Sequence, residues 1–327
     1  MKINQVLSLL VFLSTIIFHT SSSLFAENQS QISKKIDFLA LGTGSTTGTY
    51  FPLGNAFSNI WSQKSKVINS MTFSTNGSFE NIELLRKREL SLAIAQSDIV
   101  NAAINGTGQF EGNKYEDLRV LMSLYSEVIQ IVVPEASDIK SLFDLKGHRI
   151  NVGPANSGNA LTTKEVLTAM GIPESDYTKI YLSYDEAIQA MEKSECDATI
   201  IISGVPTKAI IELKKRIPIK VLGIPREVTF KTVGKLPYLT QYTIPDNIYG
   251  ENISTVAVSA LLVTNNKLKD NIAYDLLSML FENLEYLRQI HERANDISPK
   301  NAVKGLDFKY LHQGAKKYYQ ENLNIIE

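Results

Sequence analysis

Sulfur chemistry is almost missing from this chain: its 327 residues hold one cysteine, Cys196, in "KSECDATI". One thiol forms no internal disulfide, and none stands near the amino terminus to carry a lipid anchor. Histidine is nearly as scarce. Of four, His19 lies in an apolar leader, and only His148, His291 and His312 follow it. No His or Cys pair falls at metal-ligand spacing, which argues against zinc chemistry. There is no G-x-S-x-G, and no Gly-Lys-Ser/Thr follows a glycine loop, so neither a hydrolase elbow nor a phosphate-binding loop is written here. An excess of one charge is lacking too: 33 Lys+Arg stand against 34 Asp+Glu, without the basic stripe that nucleic acid requires. No metal, cofactor or nucleic-acid partner is expected.

What is present begins with the leader. Lys2 precedes an apolar stretch over residues 6–18, followed by Ser21-Ser22-Ser23, Leu24 and Ala26. This reads as a secretory signal peptide over residues 1–26, its apolar run of about 13 residues being too short to span a bilayer comfortably. No later segment approaches the ~18 apolar residues of a membrane span. The expected location is therefore the periplasm, with the mature protein free of any lipid anchor. At 44% apolar and 20% charged residues, the remainder is an ordinary globular composition with material for two cores.

A strand-then-helix rhythm starts at residue 36. Residues 36–41 read as a buried parallel strand, and Leu53, Ala56, Phe57, Ile60 and Trp61 then recur at helical spacing, with Pro52 suited to a first turn. The pattern repeats at residues 67–88, 90–104, 148–170 and 197–216. Each time an apolar strand ends in small polar residues at a helix start. Such loops collect outside the carboxyl ends of a parallel sheet, where ligands of open α/β folds bind. Helix starts there also offer free N–H groups and a dipole that favours anions. Two long apolar stretches, residues 118–134 and 255–264, break the rhythm and read as crossovers between two sheets. They divide the chain into lobe one, 27–127 plus 258–327, and lobe two, 128–257, in a hinged design.

The opening loop, "LGTGSTTGTYFPLGNAF", spaces its glycines G-x-G-x-x-x-G, one residue longer than the dinucleotide fingerprint. The acidic residue expected after the second strand is absent, since that strand ends in Ser74-Thr75-Asn76. A tight turn needs few hydroxyls, whereas Ser45, Thr46, Thr47 and Thr49 supply four, with Tyr50 at the mouth. Asn156-Ser157-Gly158-Asn159 reads equally well as helix capping, and Asp98 as an N-cap. Glu127 and Gln130 interrupt the first crossover; they either face solvent at a strand edge or sit at the hinge, where a buried carboxylate needs partners.

Together, "TNGSFENIELLRKRELSLAIAQSD", "LRVLMSLYSEVIQIVV", "IKSLFDLKGHRINVGPANSGN", "ATIIISGVPTKAI", "STVAVSALLVT", "LFENLEYL" and "DISPKNAVKGLDFKYLHQGAKKYY" give the chain its signature. With the opening loop, they resemble the TAXI class of solute receptors of TRAP transporters. The likeness runs over about residues 36–320. It implies an α/β, two-lobed periplasmic binding protein of type II-like fold, each lobe a mainly parallel sheet flanked by helices and joined by two hinge strands. It further implies a receptor rather than an enzyme, a small organic anion or amino acid (glutamate-like) as ligand, and an integral-membrane TRAP permease as partner. Carried over by motif, ligand contacts fall on Gly44, Ser45, Thr46, Thr49 and Tyr50; on Asn76, Gly77 and Ser78; and on Gln96, Ser97 and Asp98. They continue on Glu127, on Asn156, Ser157, Gly158 and Asn159, and on Gly204, Val205 and Pro206. The family often has glycine at Thr46 or Thr47, so this loop is bulkier; it often has proline at Ser126 and a neutral residue at Lys208, and these departures leave the ligand open. Receptors of other transporters, an exported enzyme with Asp98 or Glu127 as base, and a surface antigen on the same fold are the rival readings.

Overall fold

Strand β1 (Asp37–Gly42) runs into the opening loop and helix α1 (Tyr50–Lys64), in a computed structural model that describes residues 36–323. The leader assigned to residues 1–26 lies outside the described residues. The next units are β2 (Ile68–Phe73) with α2 (Ser78–Arg86), and β3 (Leu92–Gln96) with α3 (Ser97–Asn105). Every residue of β3 is buried, the expected pattern for a strand covered on both faces. β4 (Leu118–Pro134) is the first crossover, and β5 (Arg149–Asn151) leads into α4 (Gly158–Ala169). The chain continues with β6 (Thr178–Ile180), α5 (Tyr184–Glu192), β7 (Ala198–Ser203) and α6 (Lys208–Arg216). β8 (Ile219–Leu222), α7 (Arg226–Lys235), β9 (Thr240–Ile244) and α8 (Asp246–Tyr249) precede the second crossover, β10 (Ile253–Asn265). α9 (Asp270–Glu282), α10 (Leu284–Ile290) and α11 (Gln313–Leu323) end the described chain.

The expected rhythm is present, and the sheets it builds are continuous. The strand order is β2-β1-β3-β10-β4-β7-β5-β6, with β8 added to β4 and β9 to β10. β1 and β3 pair in parallel, as do β5, β6 and β7, while β10 lies antiparallel between β3 and β4. The long strands thus weld two parallel ends into one mixed sheet. The fold is α/β, one mixed sheet flanked by helices, and is consistent with the type II-like periplasmic binding fold that the sequence led us to expect.

The apolar cores change hands along these two strands. One cluster takes β1–β3, β4 as far as Tyr125, β10 from Ala260, and helices α1, α9 and α11, with Trp61 fully buried at its centre. Two others take β4 from Val128, β10 up to Val258, and β5 and β7. The break falls at Ser126 and Glu127, which pair with Ser259 and Val258, and the register shifts between Ser259 and Leu261. A bulge there bends a strand locally. Among the described residues no helix is long and apolar enough to cross a membrane.

Candidate ligand-binding site

A cavity of about 430 Å³ opens where the loops after β1, β2, β5 and β6 meet the ends of β3 and β7. Three helices begin in its wall, at Tyr50, Ser78 and Tyr184, so three sets of first-turn N–H groups converge there. Each half holds its loops with an asparagine clamp. Asn81 donates to the carbonyls of Thr43 and Ile94 at 2.6 and 2.9 Å, and Asn159 to those of Val152 and Ile200 at 2.7 and 2.8 Å. The Asn159 carbonyl in turn accepts from Ile202 N and from the Tyr184 hydroxyl. Both clamps are buried, where an unpaired amide would be costly.

Hydroxyls join the two sides directly. Thr49 Oγ1 lies 3.0 Å from Ser203 Oγ, and Ser45 and Thr46 donate to Asp185 Oδ2 at 3.2 and 3.4 Å. Behind them Thr162 donates to Asp98 Oδ2 at 2.5 Å. At the base Tyr50 donates its phenol proton to Glu127 Oε2 at 2.6 Å, with Ser78 Oγ 3.4 Å from the same phenol. Glu127 is 2% exposed, and burial pushes its carboxyl up to about 8. The Tyr50 bond works the other way, and the charge of Asp98 adds to the rise. Burial likewise lifts Asp98 to about 6, opposed by Thr162 and helped by Glu165. Glu80, Glu127 and Asp185 are the ionisable acids of the wall; no lysine, arginine, histidine or cysteine lines it among the described residues.

Of the residues singled out in the sequence, Gly44, Ser45, Thr46, Thr49, Tyr50, Asn76, Gly77, Ser78, Gln96, Glu127 and Asn159 border this cavity. The others do not. Ser97 Oγ accepts from Ser259 N and fastens α3 to β10. Asp98 turns into the buried contact with Thr162. Asn156 is an exposed turn residue at φ 58°, and Ser157 caps α4 by accepting from Ala160 N. Gly158 packs against Gln96 and Ser78 behind the wall. Gly204 abuts Arg293 and Thr49, Val205 joins an apolar core, and Pro206 follows a cis peptide on the way to α6. Lys208 is exposed, while Gln130 is buried, donating to Thr207 and accepting from Tyr249.

Sequence reasoning missed one wall. Ser183, Tyr184 and Asp185 face the cavity from the start of α5, with Pro154, Glu80, Ile202 and Ser203. A signal for α5 was available: Ser183 and Glu186 form a capping box, the S-x-x-E pattern that announces a helix start.

Known proteins resemble this arrangement. The model of the NMT1-like family matches residues 41–322. Among solved structures, the periplasmic aliphatic sulphonate binding protein SsuA of Escherichia coli is 15% identical with a TM-score of 0.50, over 87% of this chain and 83% of that one. The binding protein component of an ABC phosphonate transporter of Pseudomonas aeruginosa is 13% identical at 0.53, over 79% of each chain. A structure described for glutathione import through GshT and the cystine ABC importer TcyBC of Streptococcus mutans is 13% identical at 0.51, over 79% and 95%. At such identities the likeness is one of fold.

Proposed function

This chain belongs to the NMT1-like family, and from that membership and the cavity's geometry we propose that it is a periplasmic solute receptor. It captures a small carboxylate or amino acid, glutamate-like, between two lobes and hands it to a membrane permease. One observation carries the reading: hydroxyls and helix starts from both ends of the sheet converge on a single cavity. Lobe one is 27–127 plus 258–327 and lobe two 128–257. The change of apolar core at Ser126–Glu127 and Val258–Ser259, beside a register shift, supports a hinge there.

The mechanism is capture by closure. First-turn N–H groups of α1, α2 and α5 and the hydroxyls of Ser45, Thr49, Ser78 and Ser203 suit a carboxylate, and charge-assisted bonds of that kind are the stronger ones. A solute touching both lobes favours the closed form by its differential affinity for it. The permease then engages the closed shape. We assign it to the TRAP type on the sequence motifs; binding proteins of ABC transporters, among the structural neighbours, share the fold. The protein acts as a receptor rather than an enzyme, since the buried carboxyls are held by Tyr50 and Thr162, with no histidine or cysteine beside them among the described residues.

The test is calorimetric titration of the protein, refolded from denaturant to strip carried solute, with amino acids and small carboxylates. One-site binding is expected, and ligand at about 100 times its Kd should stabilise the protein by about 2.7 kcal/mol. A folded protein that binds none of them overturns the receptor reading.

A further inference from the structure

Among the three acids of the wall, two are already engaged. Glu80 accepts from Asn76 N at 2.6 Å, and Asp185 accepts from Ser45 and Thr46. Glu127 differs. It is 2% exposed yet borders the cavity, and among the described residues Tyr50, on Oε2, is the only hydrogen-bond partner of its carboxyl. Its second oxygen is left to whatever fills the cavity. No cation in the wall answers it. The ionisable groups facing it are Tyr50 from α1, Tyr125 on its own strand, Asp98 from α3 and Tyr184 from α5, none of them positive at neutral pH. Arg293, whose charge acts on Tyr125, is paired with Asp296 and Glu292.

Resting on the receptor reading above, we propose that Glu127 is the subsite for a positively charged group of the solute, an ammonium in the simplest case. The carboxylate end of such a solute then lies toward the helix starts, and the amine toward the hinge. Glu127 sits where the apolar cores change hands, so the bond it makes is formed at the pivot. A proton follows from this. Near neutral pH the free carboxyl is mostly protonated, burial holding it up at about 8. An ammonium within bonding distance favours the carboxylate. The proton on Glu127 therefore leaves for solvent as the ion pair forms, while the ligand keeps all of its own. A solute with only negative groups gains nothing from ionised Glu127 and leaves the proton in place.

The experiment titrates the refolded protein with L-amino acids and, in parallel, with their matched desamino acids, L-glutamate against glutarate being one pair. Titrations at pH 7 are run in buffers of different ionisation enthalpy, which counts protons in the unmodified protein. Expected is at least about tenfold tighter binding of the amino compound, roughly 1.4 kcal/mol, with release of about one proton. Glu127→Gln, which copies the neutral acid, should bring each pair to similar affinity and abolish the release. Matched pairs of equal affinity, or binding without proton release, overturn the assignment and leave the receptor reading standing. A folded protein that binds neither series overturns both.

Discussion

At Gly158 the two ends of the sheet approach so closely that a single carbon has no room. An added Cβ would sit 2.1 Å from Gln96 Oε1 and 2.7 Å from Ser78 Cβ, and both of those residues border the cavity. Glycine at the first residue of α4 is thus a matter of clearance across the cleft. Gly158→Ala should cost the closed form about 1–3 kcal/mol, the usual range for overpacking. Binding weaker by about five- to 150-fold is the expected result, read by calorimetry on a variant whose circular dichroism is unchanged. Full affinity in such a variant would mean that the gap closes differently in solution. Gly158 also shows how one motif divides its labour: Ser157 caps, Gly158 clears and Asn159 clamps, and only Asn159 reaches the cavity.

Element by element, the site depends on helix starts being held in place. α5 is nine residues long, and its first turn supplies Tyr184 and Asp185 to the wall. Its cap is reciprocal: Ser183 Oγ accepts from Glu186 N at 3.3 Å, and Glu186 accepts from Ser183 N at 2.8 Å. Ser183→Ala should cost about 1 kcal/mol and lower the melting temperature by about 2–4 °C. Solute affinity should fall with it, because Asp185 loses its fixed place opposite Ser45. Thermal melts with and without solute check this, and unchanged values in both would show that the cap holds nothing. β4 and β10 play the complementary part. They are buried along nearly their whole length, and the polar Ser126, Glu127 and Ser259 interrupt them where the core changes.

For the whole molecule, buried ionisable groups tie stability to pH with a sign that can be worked out. Glu127 is raised from 4.5 to about 8 in the folded protein, so its stabilising effect is complete below 4.5 and is lost as pH rises through 8. Asp98, raised from 3.8 to about 6, behaves alike in a lower window. His291 is depressed from 6.5 to about 4 by burial and by Arg293, so it removes stability as pH falls below 6.5. Above pH 6.5 the other two have largely finished titrating, and among these three Glu127 carries most of the remaining change. Ligand-free protein should therefore lose up to about 2 kcal/mol between pH 6.5 and 8.5. Glu127→Gln should flatten that slope. Differential scanning fluorimetry across the range decides it, and a slope preserved in the variant would assign the effect elsewhere.

The sequence by itself determined the parts that depend on local pattern. Apolar strands ending in hydroxyls at helix starts, and two strands long enough to pass from one apolar core to the next, are written in runs of neighbouring residues. Eleven of the residues singled out there, from Gly44 to Asn159, border the cavity for that reason. Tertiary structure decided what depends on direction and distance. Ser97 and Asp98 read as loop residues, but which way the first turn of α3 faces is set by its packing on β10 and α4. The wall at Ser183–Asp185 follows a three-residue strand, β6, whose residues are exposed or half-buried and so leave no apolar run to read. The charge of the cavity, acidic and without a base among its described lining, is a sum over residues far apart in the chain. No local pattern carries such a sum, because it exists only once the loops have met.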